Sequence, residues 1–231
     1  MSGLYIAFIG PSGNGKDTQI ELLKLYLSQR YPEFTQEDID FTREPGGTLY
    51  ADDIAERLKY WALTPEKEMQ DFAMARANSL ANRVGPNLEL GKLEVSNRCF
   101  LDSLAYQGFG RGLGLETVWN HNKEIVKNLV PEIVVFLDIG LEVALKRSRG
   151  DRPDKFDKEA PSFWRNVYQG YEETLVWLQK NFPETGIIRI KDKLGHMTPK
   201  ETSEALLYHL SPHIEAWAET RNRSIVREVA R

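Results

Sequence analysis

Cysteine is almost missing. Cys99 is the sole one in 231 residues, so no intrachain disulfide and no cysteine-based zinc cluster can form. Long hydrophobic runs are missing as well, and no window approaches the ~20 apolar residues of a membrane span. The opening MSGLYIAFIGPSG has no basic segment and too short an apolar run for a secretory signal. Neither sign of charge dominates: 30 Lys and Arg against 34 Asp and Glu leave a net charge of −4. That balance excludes general polyelectrolyte affinity for nucleic acid, although local arginine clusters could still hold a small anion. No repeat and no low-complexity linker is present. Together these absences predict a soluble, cytoplasmic protein with no membrane and no nucleic-acid partner.

What remains is ordinary globular composition, 41% hydrophobic and 28% charged, in a length suited to one domain with a sizeable core. Five short apolar runs read as strands: LYIAFI (4–9), IDFT (39–42), LEVSN (93–97), IVVFLD (133–138) and GIIRI (186–190). Their near-continuous apolar character suits strands covered on both faces, as in a parallel sheet. Helical periodicity fills the gaps, in DTQIELLKLYLSQRY, ADDIAERLKYWAL, residues 65–81, LETVWNHNKEIVKNLV and SFWRNVYQGYEETLVWLQKNF. Ser162 is the expected N-cap of the last of these. Alternating strands and helices predict a three-layer, doubly wound α/β domain over 1–211 with a five-stranded parallel sheet. A charged, weakly amphipathic helical extension is expected over 212–231.

GPSGNGKDTQ, residues 10–19, joins the first strand to the first helix and fits GxxxxGK. In this setting the backbone N–H groups of Gly10, Ser12, Gly13, Asn14 and Gly15 can converge on phosphate oxygens at a helix N-terminus. Lys16 would bridge the terminal phosphates of ATP. A serine or threonine usually follows that lysine and gives Mg²⁺ a hydroxyl ligand; here Asp17 stands there. Aspartate is a hard anionic oxygen that can also hold Mg²⁺, at the cost of negative charge near the triphosphate. GKDTQ also resembles the GKGTQ of adenylate kinases, in which a hydroxyl, here Thr18, follows one position later.

Three further segments, FTREPGGT (41–48), SLAYQGFGRG (103–112) and FWRNVYQGY (163–171), together with the phosphate loop, resemble thymidylate kinases in order and spacing. The resemblance runs from about Leu4 to Ile190. It implies a P-loop nucleoside monophosphate kinase that moves the γ-phosphoryl of MgATP to dTMP, with a homodimer as the usual state. It further implies that Arg43 approaches the acceptor phosphate, with Glu44 orienting it. Phe72 stacks on thymine, and Arg76, four residues on, donates to a base carbonyl. Ser103 and Gln107 lie near the base, Tyr106 crowds the sugar 2′ carbon, and Arg98 contacts the acceptor phosphate and the transferring group. A helical lid over about 147–160 brings Arg147, Arg149, Arg152 and Lys155 to the phosphates, with Arg98, Arg152 and Lys155 joining Lys16 in catalysis.

The chain departs from the family at several of these places. Asn97 stands where a strand-ending aspartate is usual, and Asp17 where a hydroxyl is usual. The number of acidic groups is unchanged, which suggests that the metal's carboxylate has moved to Asp17, with Asn97 beside it. DKFD (154–157) replaces Asp-Arg-x-Glu, so Lys155 offers a point charge in place of a bidentate fork. Ile9 and Ser12 occupy positions usually acidic, and Tyr171 is expected to help at the acceptor sugar. Asp102 replaces a small hydroxyl and has no assigned function. Another acceptor base, or a nucleotide-binding regulator without catalysis, is the alternative reading.

Overall fold

The computed structural model describes residues 3–147, 155–192 and 194–229, apart from the side chains of residues 157 and 224–229. Its centre is a parallel sheet of five strands, β1 (Leu4–Ile9), β2 (Ile39–Arg43), β3 (Leu93–Asn97), β4 (Ile133–Asp138) and β5 (Gly186–Lys191). The order across the sheet is β2-β3-β1-β4-β5. Strand β1 is therefore central, and the order reverses beside it, so a crevice opens at the carboxyl ends of β1 and β3. The strands fall within one residue of the apolar runs because both faces are covered. Ile6 and Phe8 enter one core while Ala7 and Ile9 enter the other, and β4 divides in the same way.

The first core is closed by α1 (Lys16–Arg30) and α9 (Pro199–Val229), through Ile20, Leu23 and Leu27 from one and Leu206, Leu210, Ile214 and Trp217 from the other. The 212 boundary expected from sequence thus falls inside a continuous helix, and Ile214 and Trp217 beyond it are core residues. The Trp217 indole donates to Gly91 O at 3.0 Å, and Arg221 pairs with Asp38 at 3.0 Å. The second core is closed by α6 (Leu115–Val126) and α8 (Pro161–Asn181), and α7 (Leu141–Arg147) follows β4.

Two helices build one wall of the crevice. Thr48 caps α2 (Leu49–Tyr60) by accepting from Ala51 N, and Thr64 caps α3 (Pro65–Ser79) by accepting from Lys67 N. Pro65 adds the fixed φ that favours a first helical position. The N-cap of α8 is Ala160 rather than Ser162, because Pro161 takes the first helical position and places Ser162 inside the helix. Helix α3 continues through a π-helical turn, Leu80–Val84, into α4 (Gly85–Glu89). After β3, a short α5 (Phe100–Ser103) widens into a second π-helical stretch, Leu104–Gly110, which carries AYQGFG. Helix α8 packs tightly on it: a Cβ on Gly170 would sit 2.8 Å from Phe109 Cβ, so only glycine fits there.

Candidate active site

The phosphate loop is shaped by its glycines and fastened by Asn14. Gly10 has φ +133, and a Cβ there would lie 2.1 Å from Asn14 Nδ2. The Asn14 amide donates to Ile9 O at 3.3 Å and Leu137 O at 3.2 Å, tying the loop to β1 and β4. Its oxygen accepts from the Lys16 backbone N–H at 3.3 Å and from Lys16 Nζ at 2.9 Å. Lys16 Nζ also donates to Gly10 O at 2.7 Å and Pro11 O at 3.0 Å. Lys16 is buried; that burial, with the Arg98 guanidinium nearby, holds its pKa well below the ordinary lysine value.

A cavity of about 540 Å³ runs along the loop and is lined by Ser12, Gly13, Asn14, Gly15, Lys16, Asp17, Thr18 and Gln19. Its far end is made by Ile139, Arg147, Asp192, Met197, Pro199 and Thr202. Arg147 is held there by donating to Gly195 O at 3.1 Å.

A second cavity, of about 260 Å³, opens beside it. Arg43, Phe72, Arg76, Arg98, Ser103, Tyr106 and Gln107, drawn from four elements and the turn after β3, all line it. Ser12, Asp17, Asn97 and Arg98 line both cavities and form their common wall.

Within the second cavity, Arg76 is buried and pairs with Glu44 at 2.7 Å. It also donates to Ser103 Oγ at 2.9 Å and Asn122 Oδ1 at 2.5 Å. The Glu44–Pro45 peptide bond is cis. Through its 2.7 Å pair Glu44 orients Arg76, and the orienting carboxylate for Arg43 is Asp52, at 3.0 Å. The expected Arg43–Glu44 pairing is corrected by this geometry: Arg43 ends β2 and turns to Asp52, while Glu44, one residue beyond the strand, turns into the buried wall to meet Arg76.

Arg98 has the left-handed φ of +76, unusual for a non-glycine residue. The strained turn is held by Arg98 N–H to Phe8 O at 2.8 Å and Ser96 Oγ to Arg98 O at 2.6 Å. The guanidinium lies over the Tyr106 ring, 5.4 Å from its centroid, and donates to Gly10 O and Asp102. Asn97 Nδ2 donates to Asp17 Oδ1 at 2.5 Å, across 80 residues of sequence, and Asn97 Oδ1 is buried without a hydrogen-bond partner.

The sequence profile of the thymidylate kinase family matches residues 8–185. The chain belongs to the thymidylate kinase family. A thymidylate kinase from Kosmotoga olearia is 36% identical over 173 residues, covering 74% of this chain and 81% of that protein. One from Rickettsia conorii is 32% identical over 211 residues, covering 90% and 97%. A crystal structure of thymidylate kinase from Ehrlichia chaffeensis superposes with a TM-score of 0.70 at 24% identity, covering 91% of this chain and 99% of that one. At that identity the likeness concerns the fold.

Against this thymidylate kinase framework, two expected site residues are displaced. Lys155 pairs with Glu68 of α3 at 2.7 Å, its backbone N–H donates to Lys59 O at 3.0 Å, and it lines neither cavity. In this arrangement it fastens the segment after residue 154 to the acceptor-side wall. Tyr171 is fully buried and lines neither cavity; its hydroxyl donates to Asp102 Oδ1 at 2.6 Å. Arg152, with Arg149 and Asp154, lies outside the described residues.

Glu68 is the functional neighbour that sequence reasoning passed over. Its buried carboxylate accepts from Gln107 Nε2 at 2.8 Å and from Arg111 Nε and Nη2, besides pairing with Lys155. Burial alone would raise its pKa, but hydrogen bonds from Arg111, Lys155 and Gln107 outweigh it and hold the carboxyl below its usual value. A signal was available: Glu68, Phe72 and Arg76 are spaced i, i+4, i+8 and share one helix face. Phe156 lines the second cavity and meets Tyr106 edge-on at 5.4 Å. Among the described residues no helix is long and apolar enough to cross a membrane.

Proposed function

We propose that this chain transfers the γ-phosphoryl of MgATP to dTMP, with ATP along the phosphate loop and dTMP in the 260 Å³ cavity. The observation that carries the reading is the common wall. Two adjoining cavities, one framed by a phosphate loop and one by an aromatic–arginine set, meet at Ser12, Asp17, Asn97 and Arg98. In-line transfer between two bound nucleotides needs such a junction. The acceptor is already a phosphate anion, so positioning and electrostatic stabilisation suffice and no general base is required. Lys16 and Arg98 meet the charge on the transferring group, Arg43 holds the acceptor phosphate, and Phe72 stacks on the base. Arg76, Ser103 and Gln107 form the polar edge around that base, and Tyr106 bounds the sugar. A homodimer and a cytoplasmic location belong to the same proposal and rest on the family resemblance.

The test is a panel of dTMP, dUMP, dCMP, dGMP and AMP with ATP. Turnover is expected to be highest with dTMP and second with dUMP, because a guanidinium donor meets a carbonyl in both and an amine in cytosine. Binding of ATP and dTMP without product from any acceptor would replace the kinase reading by that of a nucleotide-binding regulator.

The residues fit a magnesium ion. Among the described residues no group of three or more His, Cys, Asp or Glu side chains could hold a metal unaided. Asp17 and Asn97 nevertheless touch at the common wall, and the amide oxygen of Asn97 is buried without a hydrogen-bond partner. Asp17 supplies the anionic ligand and Asn97 a neutral one; bound there with ATP, Mg²⁺ would neutralise phosphate charge. Asp17→Ala is expected to raise the Mg²⁺ concentration for half-maximal turnover by about tenfold, matching the 10–100-fold typical when a metal site loses a supporting group. Mg²⁺ titration of the rate checks this, and an unchanged midpoint would remove Asp17 from the metal site.

A further inference from the structure

Asp102 gathers more donors than any helix cap requires. Gly10 N–H at 3.4 Å, Arg98 Nη1 at 2.8 Å and Tyr171 OH at 2.6 Å converge on Oδ1, and Cys99 N–H reaches Oδ2 at 3.1 Å. The carboxylate is buried, and behind it Tyr171 is packed against Phe136 with ring centroids 5.4 Å apart. A fixed phenol thus sets the rotamer of the carboxylate, and the carboxylate faces the common wall.

Its main partner is Arg98. Arg98 Nη1 donates to Gly10 O at 3.0 Å, the same oxygen that accepts from Lys16 Nζ at 2.7 Å. Two cations therefore meet at one peptide of the phosphate loop, where they repel each other. Asp102 bonds one of them and the loop's own N–H, which offsets that repulsion and fixes the direction of the guanidinium.

The geometry points to Asp102 as a positioning residue: held by Tyr171, it fixes the Arg98 guanidinium at the junction of the two cavities, with Nη1 committed to Asp102 and Gly10 O and Nη2 turned to Ser12 Oγ, 3.4 Å away on the common wall. This rests on the placement of Arg98 at the transfer site under the proposed function. A carboxylate serving only to cap α5 would act on stability and leave turnover alone.

A double-mutant cycle separates these roles. Steady-state kinetics with ATP and dTMP would be measured for Asp102→Asn, Tyr171→Phe, Arg98→Ala and the combined variants, alongside thermal melting. Asp102→Asn keeps shape and cap acceptor but loses charge, so kcat is expected to fall about 30-fold, within the ~10²-fold that a 1 Å misplacement can cost. KM for ATP should move less than about threefold, because the interaction lost is one made in the transition state. Tyr171→Phe should lower kcat by roughly fivefold. In the Arg98→Ala background both substitutions should cost less than about twofold, since residues acting as a unit are non-additive. Equal costs in both backgrounds, an intact kcat in Asp102→Asn, or a change confined to melting temperature would each overturn the proposal. Normal turnover in Arg98→Ala would instead remove Arg98 from the transfer site, a separate failure. Should Arg98→Ala not fold, Arg98→Lys serves as the second background.

Discussion

Lys16→Ala abolishes phosphoryl transfer, with kcat reduced by at least about 10³-fold, while dTMP binding measured by calorimetry stays within about threefold of the parent. The asymmetry follows from position. Lys16 lines the phosphate-loop cavity but not the neighbouring one, so its loss leaves the acceptor contacts in place. Melting temperature should change little. The substitution loses three hydrogen bonds from Nζ, to Gly10 O, Pro11 O and Asn14 Oδ1, but also removes a buried ammonium whose desolvation is costly. Turnover at the parental rate in this variant would sink the mechanism.

Glu44→Ala is the substitution expected to damage the fold most. It leaves the Arg76 guanidinium buried at the cavity wall with Asn122 and Ser103 as neutral partners and no counter-charge. Breaking a buried pair on one side costs about 3–5 kcal/mol, which corresponds to a fall in melting temperature of roughly 10 °C for a chain of this size. Glu44 shows the strain of its setting: burial raises its carboxyl above the usual range, and Arg76 offsets this only in part. Replacing both partners by apolar residues, Glu44→Leu with Arg76→Met, should therefore recover most of the stability without recovering dTMP binding. Thermal melting and dTMP calorimetry on the same preparations check both halves. A double variant as unstable as Glu44→Ala would contradict the account.

The strands were legible because a doubly covered parallel sheet must be apolar on both faces, and little else in the chain has that character. The nearness of Asp17 and Asn97 was legible as well, since two departures from one family pattern suggested that they should lie together; their side chains touch. The start of α8 was misread because serine caps are a strong local cue, while Pro161 enforces the helical φ one residue earlier. Lys155 was misplaced for a different reason. Charge alone directs a lysine to phosphate, but a buried carboxylate 87 residues upstream competes for it, and Glu68 carried no motif of its own. Asp102 was visible only as an oddity. Its meaning depends on Tyr171, brought to it by the packing of α8 on the π-helical stretch, and that contact has no trace in local sequence.

The docking of α9 also bears on how the chain is made. Strands β1 to β5 are complete by residue 191, yet one face of the sheet is finished only by Leu206, Leu210, Ile214 and Trp217. During synthesis that side of the sheet has only α1 as cover, and Ile188 and Ile190 of β5 stay open until the last helix has left the ribosome, although the opposite core can already close. A stop codon or a stalled ribosome before residue 218 would release a half-finished sheet, with an apolar face suited to chaperone capture or aggregation.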